Sequence, residues 1–481
     1  MAHKLNADCM ALIFPYLSGN DLVSISLVNR SFLAGVVPTL YRTLVFTSKH
    51  ASQYKKMMSA FATVLNHPHL AVHVRHIVNL DIRAAPQADQ KISGGVHSDF
   101  LRESTTTLPL CVNLVSFTCT PSIFPYYLPL LEERGHLESL RTRADLDATQ
   151  AEQLTSIKGL RDICLDSATW NVIHVFPQWA KSIASTLRSL TFYNLQELNM
   201  AVLEPVIKQL PDLTGLHIIQ CMEIDHSMVL QLAKYASNLR SLAFTCWTPP
   251  ILEAEPPTLA YLVHLNHLAV QILPSSYFTL EPHVPLFKSA APLSSISLLI
   301  VNKQGRLEED LSIKDIIRPH ASTLTHLMLN RPIDMSDLKK IASRCKSLYR
   351  LTTVIPRDNV SAFARALYRS QSLQIVQDLG DLSSPSGTRA NKTKKIDPNL
   401  SKANVQTILD KATSVSKVIT PDRVWTVCIG RLLTRMQIYS EFDGRDLKGS
   451  ILSTIIHGSY QKNARTTVQI IGSSRLTDTC R

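Results

Sequence analysis

Two pairs of histidines have the His-x-x-His spacing with which two imidazoles can bind one metal ion: His73 with His76, and His264 with His267. Neither pair has an acidic or cysteine companion nearby, so surface histidines are the favoured interpretation. The sequence contains no GxGxxG, GxxxxGK[ST], GxSxG or HExxH motif, the patterns that bind phosphates, present a nucleophile or bind zinc. We therefore expect a protein without enzymatic activity, cofactor or metal.

The nine cysteines are a second group with potential chemistry. Their number is odd, no CxxC pair occurs, and most lie within apolar periodic segments. A disulfide framework or a zinc site would need clustered spacing. We therefore expect buried, reduced thiols.

The net charge of +12 suggests nucleic-acid binding until its distribution is considered. Residues 381–481 contain 16 Lys/Arg and 8 Asp/Glu, so this last fifth of the chain carries +8 of the total. Basicity belongs to the tail and not to the predicted fold, and we do not favour a nucleic-acid partner. No apolar run reaches the roughly 18 residues of a membrane span, and MAHKLNAD does not begin a secretory signal. We expect a soluble protein of the cytoplasm, the nucleus or both.

One pattern recurs along the chain: an apolar residue, two variable ones, an apolar residue, one variable one and another apolar residue, numbered here as motif positions 1 to 6. Good copies begin at Leu160, Leu187, Leu213, Leu239, Leu265, Leu293, Leu324 and Leu348, and weaker copies at Leu114, Leu137 and Leu373. From Leu137 to Leu373, successive copies are 23 to 31 residues apart. Such self-similarity indicates a repeat architecture.

Each repeat predicts a strand followed by a helix. Positions 4 and 6 alternate with variable residues, as in a strand with one buried face. Between copies, segments such as MSDLKKIASRCKS place Leu338, Ile341 and Cys345 on one helical face, with Ser336 or Asp337 as the cap. One strand and one helix cannot bury their apolar side alone, whereas stacked units share a core. The expected fold class is α/β, a strand-plus-helix solenoid.

This Leu-x-x-Leu-x-Leu pattern resembles the leucine-rich-repeat family. Its period of roughly 26 residues, with helical returns, looks most like the repeats of F-box/leucine-rich-repeat proteins. The asparagine usual a few residues past position 6 is mostly missing. Cysteine marks some of these turns instead, as at Cys221 and Cys246.

The N-terminal segment predicts three short helices. Asn6 is suited to cap the first, whose apolar stripe comprises Met10, Ile13, Phe14 and Leu17. Gly19 suits its C-terminal stop, and Asn20 or Asp21 can begin a second helix. A third helix is expected from about Arg30 to Pro38, where the proline would end it. Because so small a module cannot bury this much apolar surface alone, we expect it to contact a partner or the adjoining repeats.

These N-terminal residues resemble an F-box, with matches at Leu5, Ile13, Phe14, Leu17, Asp21, Leu22, Leu27, Val28, Arg30, Phe32, Leu40 and Tyr41. The usual Pro and Glu of that family are Asn6 and Asp8 here. The resemblance implies a non-catalytic subunit that docks on a Skp-family adaptor and, through it, on a cullin–RING ubiquitin ligase. It also implies that Leu5, Ile13, Phe14, Leu17, Leu22, Leu27 and Val28 contact the adaptor while the repeats hold a protein substrate. The alternative is that some of them, Val28 and Ile25 especially, only hold the helices together.

In a leucine-rich solenoid, the variable strand positions form the concave binding face. Positions 3 and 5 give the candidates Asp162, Ser189, Thr191, His217, Ser241, His267, His326, Met328 and Arg350. Position 2 adds Arg161, Arg188 and Arg240, either as a basic rib or as a solvated edge. The substrate-binding residues predicted from these two sets are Arg161, Arg188, His217, Arg240, His267, His326 and Arg350.

The predicted organisation is an F-box-like module over 1–46, a solenoid over 70–379 and a basic linker and tail of uncertain structure over 380–481, in which no leucine repeat continues. The segment 84–107 is predicted to be a loop. A protein-interaction scaffold, in which the F-box-like segment merely caps the solenoid, is the alternative to the ligase hypothesis.

Overall fold

The computed structural model describes residues 6–17, 19–46, 58–79, 98–120, 122–132, 134–246, 261–273, 287, 290, 292–300, 313–380, 400–421, 423–426 and 437–439. The described chain divides into two compact units, with the boundary in the sequence between Leu213 and Thr214. We call them the first unit and the second unit.

The first unit begins with three helices and continues as alternating strands and helices. Its helices are α1 (Ala7–Ile13), α2 (Gly19–Ser26), α3 (Arg30–Leu40), α4 (Ala60–Asn66), α5 (Ser98–Thr107), α6 (Leu128–Leu131), α7 (Ala148–Leu154), α8 (Trp170–Ile183) and α9 (Met200–Lys208). Its strands are β1 (Thr43–Phe46), β2 (His76–Asn79), β3 (Ser116–Cys119), β4 (Ser139–Arg143), β5 (Asp162–Asp166) and β6 (Ser189–Tyr193). These strands pair in chain order and are all parallel.

The second unit continues the alternation. Its strands are β7 (Gly215–Ile219), β8 (Ser241–Cys246), β9 (His267–Ile272), β10 (Ser295–Ile300), β11 (His326–Leu329), β12 (Arg350–Thr353), β13 (Ile375–Asp378), β14 (Lys417–Ile419), β15 (Val424–Thr426) and β16 (Gln437–Tyr439). Its helices are α10 (His226–Ala233), α11 (Ile313–Ile317), α12 (Met335–Arg344), α13 (Val360–Leu367) and α14 (Lys402–Lys411). Strands β7 to β14 pair in parallel, and β15 and β16 add two antiparallel pairings.

Motif positions 1, 4 and 6 form the core of each repeat. In the copy that begins at Leu160, for example, Leu160, Ile163 and Leu165 are all buried. Strands begin at position 3, and the backbone N–H of position 2 donates to the position-2 carbonyl of the preceding repeat, as from Arg161 to Glu138 over 2.7 Å. The predicted α/β leucine-rich-repeat fold is therefore confirmed.

Several local predictions need correction. Helix α12 is capped by Asp334, whose carboxylate accepts from the Ser336 N–H, and not by Ser336 or Asp337. Its predicted apolar face is correct, because Leu338, Ile341 and Cys345 are buried. Within the predicted 84–107 loop, residues 98–107 form helix α5, because Phe100 has an apolar core to pack into; residues 84–97 lie outside the described structure.

The repeat stack also continues past residue 379, contrary to the prediction. Strand β14 pairs in parallel with β13, Ile375 standing opposite Lys417, and α14 contacts α13. Leucine is absent from motif positions 1 and 4 of this last repeat, where Val415 and Val418 are buried in its place. A search for leucine missed it because the core requires apolar volume and not one residue type.

Six of the seven described cysteines are buried, and Cys9 is exposed. None of these seven forms a disulfide. Burial raises the pKa of the Cys164 thiol to about 11 and that of Cys111 to about 12, which keeps both protonated at neutral pH. Cys428 and Cys480 lie outside the described residues.

A buried histidine joins two successive repeats of the second unit. The Leu293 N–H donates to His320 Nδ1 over 3.0 Å, so the other ring nitrogen, Nε2–H, donates to the Phe287 carbonyl over 2.9 Å. The hydrogen bond from Leu293 requires the neutral ring, because a protonated Nδ1 cannot accept, whereas Nε2–H can donate in either state. Burial is the main cause of its lowered pKa.

We predict that this histidine makes the protein less stable in acid. A pKa below the unfolded value of about 6.5 stabilises the fold above that pH, and the contribution is lost as pH falls from about 6.5 toward the folded pKa. The urea midpoint should therefore drop between pH 7 and pH 5. His320→Asn should lower the midpoint at pH 7 and reduce the drop, and the difference between the two proteins isolates this ring from other buried histidines.

The exposed His264→Asn is the matched control for losing an imidazole, and its midpoint at pH 7 should equal that of the wild type. An equal drop from pH 7 to pH 5 in wild type and His320→Asn would contradict the prediction.

Candidate protein-interaction surfaces

The three N-terminal helices close around a small core. Buried Met10, Phe14, Leu22, Val36 and Leu40 form it, and partly buried Leu17, Ile25, Phe32 and Tyr41 pack against it. The Phe14 and Phe32 ring centroids are 6.0 Å apart. We call residues 6–46 the N-terminal module.

Side-chain caps position these helices. Asn6 caps α1 as predicted, accepting from the Asp8 N–H, and Asn29 caps α3, accepting from the Phe32 N–H over 2.9 Å. Helix α1 ends at Ile13, earlier than expected, and a 3-10 turn over Phe14–Tyr16 follows it. Pro15 fits the start of this turn, because a residue there does not need to donate a backbone N–H.

Two of the predicted helix boundaries are wrong. Gly19 begins α2 rather than ending the first helix. Pro38 does not end α3, which continues to Leu40 before the Tyr41 N–H bonds the Val37 carbonyl. The helix tolerates Pro38 because two further residues complete its last turn against the module core, where Leu40 is buried.

The predicted adaptor contacts separate into two groups. Leu27, Val28 and Ile13 are exposed by 69%, 58% and 46%, whereas Phe14 and Leu22 are exposed by 2% and 0%. Phe14 and Leu22, which were predicted to contact the adaptor, are therefore core residues instead, because the small module needs them for its own interior. Leu17 is half-buried, and Leu5 lies outside the described residues.

Further apolar side chains share the module's surface, which sequence reasoning missed. Leu12, Tyr16, Val23 and Leu33 are also exposed. With Ile13, Leu27 and Val28 they define what we call the exposed apolar set. The spacing of Met10, Ile13, Phe14 and Leu17 predicted an apolar stripe, but it did not show which of these residues the three-helix core would bury.

The module also contacts the first repeat. Helix α3 lies against the 3-10 turn Pro68–His73. One side of α3 is thus occupied within the first unit, whereas the exposed apolar set is not covered by any of the described residues.

Position-2 arginines of the first unit lie where the chain enters each strand. Arg161 Nε is 3.8 Å from a Glu138 carboxylate oxygen, and Arg188 Nη2 is 3.6 Å from one of Asp212. These pairs are solvent-exposed, and their stabilising effect is small. Arg240 of the second unit occupies the same motif position and is exposed. The geometry agrees with a solvated edge rather than a basic rib.

A charged cluster on the first unit's sheet was not anticipated. Asp166 on β5 stands in register with Arg143 on β4 and Tyr193 on β6. Burial raises the Asp166 pKa, while its hydrogen bond from Ser167 and the charges of Arg141 and Arg143 act in the opposite direction. Burial, with the Asp166 charge, raises the Tyr193 pKa to about 12.

On the open side of the sheet, the candidates at position 5 are not accessible. His217 is 2% exposed, and its Nε2 is 2.8 Å from the Ser241 hydroxyl oxygen. Thr191 and Met328 are also buried. The prediction that position 5 is open to a substrate is therefore wrong for these residues, including the candidate His217. Met328 lies in an apolar cluster with Leu299 and Leu379.

Position 3 is more open, and three predicted residues come together there. Ser295 on β10 stands opposite both His267 and His326, and His326 stands opposite Arg350. All four side chains are half-buried. Burial, then the charges of Arg350 and His267, lower the pKa of His326 to about 4.

Among the described residues no group of three or more His, Cys, Asp or Glu could hold a metal ion, and no helix is long and apolar enough to span a membrane.

Comparison with known proteins gives similarity of structure alone. No family model and no curated protein matches the chain. It is similar to the crystal structure of the Rad7 and Elc1 complex in yeast, at 13% identity and TM-score 0.43, with 79% of this chain and 90% of that chain covered. It is also similar to the leucine-rich repeat-containing protein LegL7 from Legionella pneumophila, at 12% identity and TM-score 0.37, with 69% of this chain and 97% of that chain covered. A third similar structure is the functional domain of InlJ from Listeria monocytogenes, at 14% identity and TM-score 0.21, with 66% of this chain and 50% of that chain covered.

Close packing of α1 against α3 yields a prediction for the module. A Cβ atom at Gly35 would lie 2.8 Å from Phe14 Cε2. Gly35→Ala gains about 1 kcal/mol of helix propensity but overpacks a core in which buried Phe14 is held against Phe32, at a cost of about 1–3 kcal/mol. We expect faster amide hydrogen exchange in peptides spanning α1 and α3.

Gly135→Ala is the control, because no atom lies within 4 Å of a Cβ placed there. It should leave exchange unchanged throughout the first unit. Protection of α1 and α3 that is unaltered in Gly35→Ala would show that the helices do not need this close approach.

Proposed function

We propose that this protein is a non-catalytic substrate-recruiting subunit of a cullin-type ubiquitin ligase, acting in the cytoplasm, the nucleus or both. In this proposal the N-terminal module binds a Skp-family adaptor, which connects it to the cullin–RING ligase. The repeats bind a protein substrate. The F-box resemblance of the N-terminal residues motivates the assignment, together with the repeat fold behind them.

One observation carries the proposal: the exposed apolar set on a module whose core is already complete. Leu27 and Val28 follow directly after α2, and Leu12 and Ile13 are the last residues of α1. Burying apolar surface contributes about 25 cal/mol per Å², so such side chains favour association with a partner. Phe14 and Leu22 then support the contact by fixing the helices that present it.

The alternative is a protein-interaction scaffold whose N-terminal module only caps the repeats. The contact of α3 with Pro68–His73 favours that reading, because terminal repeats need a cover. A cap, however, uses the side that faces the repeat, and it gives no role to Leu27 and Val28, which remain exposed.

We predict that the full chain captures its host's Skp-family adaptor in a pull-down and that an Ile13→Asp, Leu27→Asp double variant does not. Both side chains are exposed, so the charges should leave the module folded while preventing burial against the adaptor. Circular dichroism and hydrogen exchange of α1–α3 check the fold of the variant.

Val112→Asp is the matched control, since Val112 is an equally exposed apolar residue of the same unit outside the module. It should capture the adaptor like the wild type. If a folded wild-type chain captures no adaptor, the scaffold alternative replaces the ligase proposal.

A further inference from the structure

Four polar side chains form a line across the second unit's sheet. His267, Ser295, His326 and Arg350 are the first residues of β9, β10, β11 and β12, and they stand in register. We call them the basic row. Neighbouring parallel strands lie about 4.8 Å apart, so adjacent members can reach one small group together.

Within the described strands β7 to β14, no acidic residue shares the face of the basic row. No Asp or Glu occurs at the first, third or fifth residue of strands β7 to β14. Those residues lie on the same side of the sheet, because side chains alternate along a strand. The first unit differs, since Asp162 and Asp166 hold such places on β5.

The described hydrogen-bond partner of the Arg350 guanidinium is a neutral group. Its Nη2 donates to the Gln377 amide oxygen over 2.5 Å, and its buried Nε has no hydrogen-bond partner in the described structure. By contrast, Arg357 in the same unit is paired with buried Asp378 over 2.5 Å. A half-buried guanidinium without a counter-charge is costly, so an anion bound beside Arg350 would be favoured.

His326 leaves one ring nitrogen for a ligand. The Thr325 hydroxyl donates to the Ser294 carbonyl, so its oxygen accepts from His326 Nδ1–H over 2.8 Å. Nε2 of His326 makes no hydrogen bond to any described residue. An anion near His326 would favour the doubly protonated ring, in which Nε2–H is a donor.

We propose that the basic row binds a phosphorylated side chain of a partner protein segment, which deepens the proposed function by naming the chemical class of its substrate. The Arg350 guanidinium would bind two phosphate oxygens as a planar fork, and the adjacent His326 would supply a further donor. Ser295 and His267 continue the row toward polar groups of the same bound segment. A phosphate carries about −1.5 to −2 charge at pH 7 and so suits several converging donors better than a carboxylate does.

The test is fluorescence polarisation of degenerate peptide pools with a fixed central phosphoserine, titrated with the full chain. Matched pools carry serine or glutamate in its place. The wild type should bind the phosphoserine pool at least about tenfold more tightly than either other pool. Arg350→Gln and His326→Gln should each reduce that preference severalfold.

Arg240→Gln is the control, because it removes an exposed arginine of the same unit outside the basic row. It should preserve the preference for phosphoserine. Equal binding of the phosphoserine and serine pools, or no binding of any pool, would overturn the proposal. Equal binding of the phosphoserine and glutamate pools would also overturn it, in favour of a general carboxylate site.

The adaptor pull-down separates this inference from the proposed function on which it rests. Arg350→Gln should still capture the adaptor, and the Ile13→Asp, Leu27→Asp variant should still bind the phosphoserine pool. Peptide binding without adaptor capture by the wild type would retain the phosphate site and reject the ligase role. Adaptor capture without peptide binding would retain the ligase role and reject the phosphate site.

Discussion

In-register parallel pairing of successive strands is the constraint on which the rest of this structure depends. A single strand with its returning helix has one apolar side that it cannot bury, and only a neighbouring repeat supplies the missing cover. Each strand begins at motif position 3, so equivalent residues from different repeats stand opposite one another, as Ser139, Asp162 and Ser189 do. Side chains that are 23 to 31 residues apart in sequence thereby become neighbours. The polar rows on the faces of the sheet are consequences of that register.

The N-terminal module follows a different rule, set by its size. Three short helices have too little interior for all of their apolar residues, so Phe14 and Leu22 take the core while Leu27 and Val28 stay outside. Gly35 lets α1 and α3 approach closely enough for Phe14 to fit between them. The same shortage of interior that makes the module marginal provides it with an apolar surface for a partner.

Arg357 and Arg350 of the second unit have partners of different kinds. Arg357 and Asp378 are deeply placed and directly paired, and the Asp378 carboxylate also accepts from the Ile355 N–H over 3.1 Å. Arg350 has an amide neighbour in place of a carboxylate, and burial lowers its pKa. Removing either partner of the first pair would leave a buried charge unmatched and destabilise the fold, whereas the unmatched charge of Arg350 leaves an electrostatic preference for an anion.

The sequence by itself determined the repeat, its strand-plus-helix content and the α/β class, because leucine at fixed spacing reports directly which side of each element is buried. It also predicted the cap at Asn6 and the apolar helix face of Leu338, Ile341 and Cys345. It missed the last repeat, where Val415 and Val418 replace leucine, and it treated His217 as accessible. Only the tertiary structure decided which apolar residues of the module stay exposed, and that candidates at position 3, such as His326 and Arg350, are more open than His217 at position 5. Both outcomes depend on packing between segments distant in sequence, which no local pattern encodes.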